Sequence, residues 1–490
     1  MRRPEIAIIG AGFGGLAAAI ELKRSGIDSF TVFERAPEVG GVWQANSYPG
    51  AACDVPSVTY QFSFALNGNW SRRYGKQAEI RDYLRDVSVE FGVREHVRFQ
   101  TEVEAARFDD ESGRWTLELA DGQRPEFDIV ICATGQLSHP NLPNVPGHGD
   151  FAGEQFHSAE WNHDVSLAGK RVALVGGGAT AIQVVPAIAN EVEHLTVVQR
   201  TPSWVVGKWD WTPTRIERLR PLQRAYHNLI WLWFEARYPG VLRSSRPFRA
   251  LWERQRKRAM KRILRDPQKV AAVTPDYQMG CNRLLLSHDW YPTLAREDVS
   301  VIGEGISALN AGGLVTSSGQ QVAADVIIWC TGFKATQYLA PMDVYGAGGT
   351  SIRDAWAAGP EAYLGMSAPG FPNMFMVYGP NTNSLTNTIV YLLERQADYI
   401  RQAIEYLTAF GGTIEVRKDV HDEFNAELTE RFKKTTFTTG CPGWYTTDSG
   451  KVVSPWVGSH VEYGRRTRHF DPTVFEHHVR DRELVLDSKA

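Results

Sequence analysis

The chain has 490 residues, 43% of them hydrophobic, and a formal net charge of −3. That length and apolar content suit two or three domains with buried cores and exclude a disordered chain, and the near-neutral balance offers nothing to a nucleic-acid partner. Five cysteines, Cys53, Cys132, Cys281, Cys330 and Cys441, are odd in number and never spaced as CxxC, which argues against a disulfide framework or a metal site and for a reducing compartment, the cytoplasm.

Residues 1–5 run straight into Ile6-Ala7-Ile8-Ile9, where Gly10 interrupts the apolar run. No signal peptide is expected from so short a run, and no stretch of about 20 apolar residues suggests a membrane span. The turn Gly10-Ala11-Gly12-Phe13-Gly14-Gly15 follows, with a helix predicted to about Ser25 and a second strand at Phe30-Val32-Phe33. Strand, GxGxxG turn, helix and strand form a dinucleotide-binding βαβ unit: Gly10 permits the tight turn, Gly12 admits a pyrophosphate, and Gly15 lets helix and strand touch. Glu34 ends the second strand, and a carboxylate there accepts from ribose hydroxyls and repels a 2′-phosphate, so FAD or NAD fits and NADP does not. Residues 128–135, ending Ala133-Thr134-Gly135, read as a buried closing strand, and Pro140, Pro143 and Pro146 then mark a linker.

The pattern repeats at Val172-Ala173-Leu174-Val175 and Gly176-Gly177-Gly178-Ala179-Thr180-Ala181, with a helix to about Ala189 and a strand at residues 195–198. Its second strand ends in Gln199-Arg200-Thr201, and an arginine there forks onto a 2′-phosphate, favouring NADPH over NADH. Residues 325–332 close the repeat with Thr331-Gly332. The arginine- and aromatic-rich stretch at about 212–270 reads as a helical insertion in the second unit, with Trp231-Leu232-Trp233-Phe234 expected to pack inward and a basic face left in water rather than on a bilayer. A later strand at residues 374–377, a Gly379-Pro380-Asn381 turn and a helix from about Leu385 are expected to return to the first unit. The expected architecture is α/β: two Rossmann-like dinucleotide-binding domains, one discontinuous over 1–147 and 325–490 and the other over 148–324.

Two such sites in one chain call for hydride transfer from NADPH to FAD. A disulfide reductase is disfavoured because Cys53 has no neighbouring cysteine. Residues 151–162, Phe-Ala-Gly-Glu-Gln-Phe-His157-Ser-Ala-Glu-Trp161-Asn162, stand between the units and resemble the type I Baeyer–Villiger monooxygenase fingerprint FxGxxxHxxxW, departing at its last position, Asn162. Gly40-Gly41-Val42-Trp43, Tyr48-Pro49-Gly50 and Asp54 resemble a second signature of that family.

The resemblance covers the whole chain and implies a monooxygenase that uses FAD, NADP(H) and O2 to convert a small-molecule ketone into an ester or lactone through a C4a-peroxyflavin. Sulfur or nitrogen oxygenation, or an uncoupled NADPH oxidase, are the alternatives. It implies a catalytic Arg283, in the stretch Asp276-Tyr277-Gln278-Met279-Gly280-Cys281-Asn282-Arg283, oriented by Asp54. The family often has lysine where Asn282 stands, which bears on the strictness of NADPH preference. Expected contacts to FAD are Gly10, Gly12, Phe13, Gly15, Glu34, Arg35, Gly41, Trp43, Asp54, Tyr60, Val103, Thr134 and Gly135. Those expected for NADP are Gly176, Gly178, Ala179, Thr180, Gln183, Arg200, Thr201, Arg283, Thr331, Gly332 and, from a C-terminal Trp444-Tyr445 loop, Trp444. His157 is expected to bond backbone rather than do chemistry. No metal, nucleic acid or membrane span is expected, and monomer and dimer both remain open.

Overall fold

The computed structural model describes residues 3–214, 219–242, 246–385, 387–438 and 443–479. In the first unit β1 (Ile6–Ile9), α1 (Phe13–Arg24) and β2 (Phe30–Phe33) form the expected βαβ element. Alanine and leucine dominate α1, and its buried residues Leu16, Ala17, Ala19 and Ile20 seat it in the core against the sheet. A short α2 (Val42–Ala45) and α3 (Gln77–Glu90) precede β3 (Val97–Arg98). The meander β4 (Val103–Asp109), β5 (Arg114–Leu119) and β6 (Glu126–Phe127) precedes the closing strand β7 (Ile129–Cys132). Each residue of β1 and β7 is buried, the continuous apolar run of a parallel strand covered on both faces.

The second unit begins with β8 (Glu154–His157), β9 (Arg171–Val175), α4 (Ala181–Ile188), β10 (His194–Val198) and β11 (Val205–Val206). The insertion follows as α5 (Arg220–Leu242), α6 (Arg246–Leu264) and α7 (Pro267–Ala272). Then come β12 (Leu285–Leu286), α8 (Trp290–Leu294), β13 (Val299–Ile302), the hairpins of β14 (Ile306–Asn310), β15 (Gly313–Thr316) and β16 (Gln321–Ala323), and β17 (Val326–Trp329). The chain returns to the first unit through β18 (Asp343–Tyr345), α9 (Ile352–Ala355), β19 (Met374–Met376) and α10 (Ile389–Phe410). It ends with β20 (Thr413–Val416), α11 (Lys418–Phe432), α12 (His460–Arg466) and β21 (Phe475–His478).

Two five-stranded parallel sheets result, in the orders β19-β7-β1-β2-β3 and β13-β10-β9-β17-β8. In each, the glycine turn follows a central strand, so its crevice opens at the carboxyl ends of the strands, where such sheets take nucleotides. β19 pairs with β7, so the C-terminal part does return to the first unit.

Two expectations shift. β17 lies between β9 and β8, so the second unit as observed includes the strand that the 325 boundary had assigned to the first. The aromatic run of α5 divides between two faces: Trp231 packs on Tyr391 at 5.1 Å, whereas Leu232 and Trp233 are exposed. Successive helical residues point about 100° apart, so four in a row cannot share an inward face.

Candidate active site between the two units

The first glycine turn is shaped for close approach. Gly10 has φ +101°, and a Cβ on Gly15 would overlap its carbonyl oxygen, so α1 starts directly against the turn. Gly12 faces Gly41 (φ +54°) from the next loop, Cα against Cα, with no room for a side chain on Gly41. Glu34 is buried at the end of β2, where its carboxylate accepts from the Ala11 and Ala36 amides at 2.7 and 2.8 Å. Burial raises its pKa, while the two amides pull it back.

Around this cradle Phe13 is buried on Tyr60 (5.1 Å) and Phe62, so its side chain serves packing. Trp43 donates to the Tyr60 hydroxyl at 3.2 Å, and Arg35 donates to the Ser138 carbonyl at 3.1 Å. The Thr101 amide bonds the Glu34 carbonyl, bringing the chain before buried Val103 beside the cradle. Thr134 and Gly135 follow β7, and the Ala133 carbonyl leaves no space for a Cβ at Gly10.

In the second unit Gly176 has φ +134°, with no room for a Cβ beside the Cys330 carbonyl. Gly178 has open space where a side chain would stand, and Ala179 is exposed, so the first turn before α4 is accessible. The Oε1 of buried Gln199 has no hydrogen-bond partner among the described residues, an acceptor available beside the turn. Arg200 and Thr201 are exposed at the end of β10, and Arg200 makes no ion pair among the described residues. This open turn, free acceptor and exposed guanidinium fit a phosphorylated dinucleotide, as the Gly12–Gly41 approach and Glu34 fit FAD.

Two of the expected NADP contacts hold other partners. Gln183 donates to the Ala52 carbonyl at 2.8 Å, and its Oε1 accepts from Tyr48 Oη and the Ala52 amide. It therefore clamps the second unit to the Tyr48-Pro49-Gly50 loop. Thr331 donates to the Asn141 carbonyl at 2.6 Å, and Gly332 accepts from the Asn141 amide, tying the second closing turn to the linker.

The two units meet at Arg283 and Asp54. Nε and Nη2 of Arg283 donate to the two carboxylate oxygens of Asp54 at 2.9 and 2.8 Å, a bidentate pair bridging 229 positions of sequence. About a third of each side chain's surface remains open, 33% for Arg283 and 28% for Asp54. The Asp54 charge holds the guanidinium pKa above its ordinary value, so Arg283 stays cationic at any working pH.

The sequence reading places Tyr445 only in the C-terminal loop and misses Tyr378 and Lys208, which also lie near this pair. Buried Tyr445 has its pKa pushed up to about 12 by burial, against the opposing pull of Arg283. Burial likewise raises Tyr378, again opposed by Arg283, and its hydroxyl is 3.0 Å from Asn383 Oδ1. Lys208 lies over the Tyr74 ring at 4.9 Å, and burial lowers its pKa against the attraction of Asp210, Cys53 and Asp54. The only sequence hint of Tyr378 is the Tyr-Gly-Pro turn, and Lys208 carries none. Trp444 stacks on Tyr445 at 4.6 Å, and a Cβ on Gly443 would overlap Asn282 Oδ1, so this loop reaches the arginine-bearing stretch.

His157 behaves as expected: it is buried, its Nδ1 accepts from the Ala159 amide at 3.1 Å, and burial lowers its pKa. Trp161 packs on Phe156 at 5.2 Å. The cysteine expectation is corrected at Cys281, which is disulfide-bonded. Cys53, Cys132 and Cys330 are buried free thiols, and Cys441 lies outside the described residues.

The comparisons agree with this geometry. Residues 3–215 match the flavin-binding monooxygenase-like family. A Baeyer–Villiger monooxygenase of Streptomyces coelicolor is 41% identical over 96% of this chain and 92% of its own length. The chain belongs to the Baeyer–Villiger monooxygenase family. A second relative of that name, from Pseudomonas aeruginosa, is 37% identical over 97% of this chain and 91% of its own. The crystal structure of cyclohexanone monooxygenase from Rhodococcus sp. Phi1 bound to NADP+ superposes with a TM-score of 0.89 at 27% identity, covering 97% of this chain and 99% of that one. Family membership accounts for both nucleotide folds and for the loop signatures around Trp43 and Trp161. Among the described residues no helix is long and apolar enough to cross a membrane.

Proposed function

We propose that the chain inserts one oxygen atom of O2 beside the carbonyl of a small-molecule ketone, giving an ester or lactone, with Arg283 as the catalytic cation and Asp54 as its positioning partner. The observation that carries this reading is the bidentate Arg283–Asp54 pair at the joint of the two units. Bound FAD supplies oxygen activation and NADPH the reducing equivalents. Gly10, Gly12, Gly15, Gly41 and Glu34 hold the flavin nucleotide; Gly176, Gly178 and Arg200 hold the nicotinamide one.

The rest follows from the side chains. A guanidinium carries five N–H donors and does not lose its proton near neutral pH. Asp54 engages Nε and Nη2, which fixes the plane of the group and leaves Nη1 to face the reacting carbonyl. Negative charge developing on the carbonyl oxygen is then met by a preorganised cation, as in an oxyanion hole. Tyr378 and Tyr445, protonated by virtue of burial, contribute hydroxyls and no competing charge. Trp444, on the loop that reaches Asn282, would stand on the nicotinamide side and limit water there. The first unit, on this reading, comprises residues up to about 147 and from about 333, and the second the intervening chain with β17. We also place the enzyme in the cytoplasm: Cys53, Cys132 and Cys330 stay free thiols, and the bond at Cys281 alone does not make a disulfide framework.

The test is a panel of ketones and sulfides offered side by side to the flavin-loaded protein with NADPH and O2. Esters or lactones from ketones support the reading. Sulfoxides without esters, or hydrogen peroxide matching NADPH consumed for every substrate, overturn it.

A further inference from the structure

The insertion presents an outward face that nothing in the described molecule covers. One side of α5 is pinned to the first unit at successive turns. His227 Nδ1 lies 2.7 Å from the Val58 carbonyl oxygen, the Trp231 carbonyl accepts from Asn387 at 3.1 Å, and Glu235 accepts from the Val461 amide at 3.2 Å. At about 100° per residue, position 229 lies opposite position 231. The exposed stripe there is Leu222, Ala225, Leu229, Leu232, Trp233 and Ala236, at spacings of three and four. Leu229 is 63% exposed, Leu232 56% and Trp233 48%, with Arg237 stacked on the Trp233 ring at 4.2 Å.

The next helix repeats the division with charge. Met260 and Leu264 are buried in the second unit, while Arg254, Arg258, Lys261 and Arg262 are exposed, Arg258 and Arg262 on the opposite side near exposed Leu251. None of these four cations makes an ion pair among the described residues, whereas Arg431 of α11 and Arg466 of α12 pair with Glu462 and Glu427. Between Arg220 and Arg265 thirteen Lys and Arg face only two acids, Glu235 and Glu253, in a chain whose net charge is −3.

We infer that α5 and α6 dock the enzyme on the surface of an anionic phospholipid bilayer, with the leucine–tryptophan stripe entering the headgroup boundary and the unpaired cations meeting lipid phosphates. Leucine and tryptophan beside arginine is the composition of interfacial helices. A nucleic acid would use the cations but leave the apolar stripe in water, and a second copy of the chain would leave the cations opposed to their own kind.

The experiment is co-sedimentation of the flavin-loaded protein with phosphatidylglycerol-rich or pure phosphatidylcholine vesicles, at low and high salt. The variants are Leu229→Ser/Leu232→Ser/Trp233→Ser and Arg254→Gln/Arg258→Gln/Arg262→Gln, each checked for unchanged melting temperature and turnover of a water-soluble ketone. Expected is salt-sensitive binding to the anionic vesicles alone, weakened by both triples, with each cation worth about fivefold in partition. Absence of wild-type binding to either vesicle overturns the proposal even if a variant fails to fold. So does binding that the apolar triple leaves intact, which marks a polyanion site, or a dimer that the apolar triple dissociates with no vesicle binding by either form.

Discussion

Replacing Arg283 with alanine separates the chemistry of oxygen insertion from the supply of electrons. The guanidinium is held 2.8–2.9 Å from Asp54 and commits Nε and Nη2 to that carboxylate, with no other hydrogen bond among the described residues. A unit charge about 4 Å from a developing oxyanion is worth about 4 kcal/mol at an effective dielectric constant of about 20. That corresponds to about 10³ in rate, and loss of one oxyanion donor typically costs about 10²–10³. Ester formation should therefore fall by about 10²–10³ in Arg283→Ala. The flavin cradle draws on Gly10, Gly12, Gly41 and Glu34, none of which contacts Arg283, so flavin content should hold. Anaerobic stopped-flow monitoring of flavin absorbance should show reduction by NADPH near the parent rate, while chromatography of the aerobic reaction shows hydrogen peroxide in place of ester. Arg283→Lys keeps the charge but loses the planar fork and should recover only part of the product yield. Ester yield at the parent level in Arg283→Ala, or reduction failing as severely as insertion, would refute the assignment.

Three further outcomes are expected. Arg200→Ala should lower kcat/KM for NADPH by about 10–100-fold, the worth of a charge-assisted phosphate contact, with NADH little affected; equal loss for both nucleotides would remove Arg200 from phosphate recognition. Glu34→Ala strands the Ala11 and Ala36 amides and removes the ribose acceptor, so the purified protein should show a reduced flavin-to-protein absorbance ratio and a lower melting temperature; full flavin occupancy would contradict the cradle. Glu394 lines a cleft of about 560 Å³, and burial raises its pKa from 4.5 to about 7. Because the folded protein then binds the extra proton between pH 4.5 and about 7, stability falls as pH rises through that window. Glu394→Gln should therefore raise the melting temperature more at pH 8 than at pH 4, and an equal shift at both would show that the carboxylate carries no such penalty.

Much of the fold is legible in local sequence because its decisive features are local. The two glycine turns, the apolar runs of β1 and β7, and Glu34 at the end of β2 need only neighbouring residues to be read. The α5 faces follow from helical geometry once the helix is placed, yet which face points inward depends on Asn387, Tyr391 and Val461, supplied from far along the chain. β17 was readable as a strand but not as the partner of β9 and β8, since parallel pairing is settled in space. The Asp54–Arg283 pair was reachable only through a family resemblance, because neither residue has a local pattern that announces the other. Tyr378, Tyr445 and Lys208 converge on that pair from three separate segments, and the bond at Cys281 has no CxxC spacing to betray it.

The central claim is that one oxygen atom of O2 enters the product beside a carbonyl, at a site where two nucleotide folds meet Arg283. Turnover of an accepted ketone under 18O2, with NADPH and the flavin-loaded protein, tests it directly by mass spectrometry of the product. The account predicts an ester or lactone carrying a single 18O atom and water carrying the other. Unlabelled product, or 18O recovered wholly as hydrogen peroxide with the ketone unchanged, would contradict it.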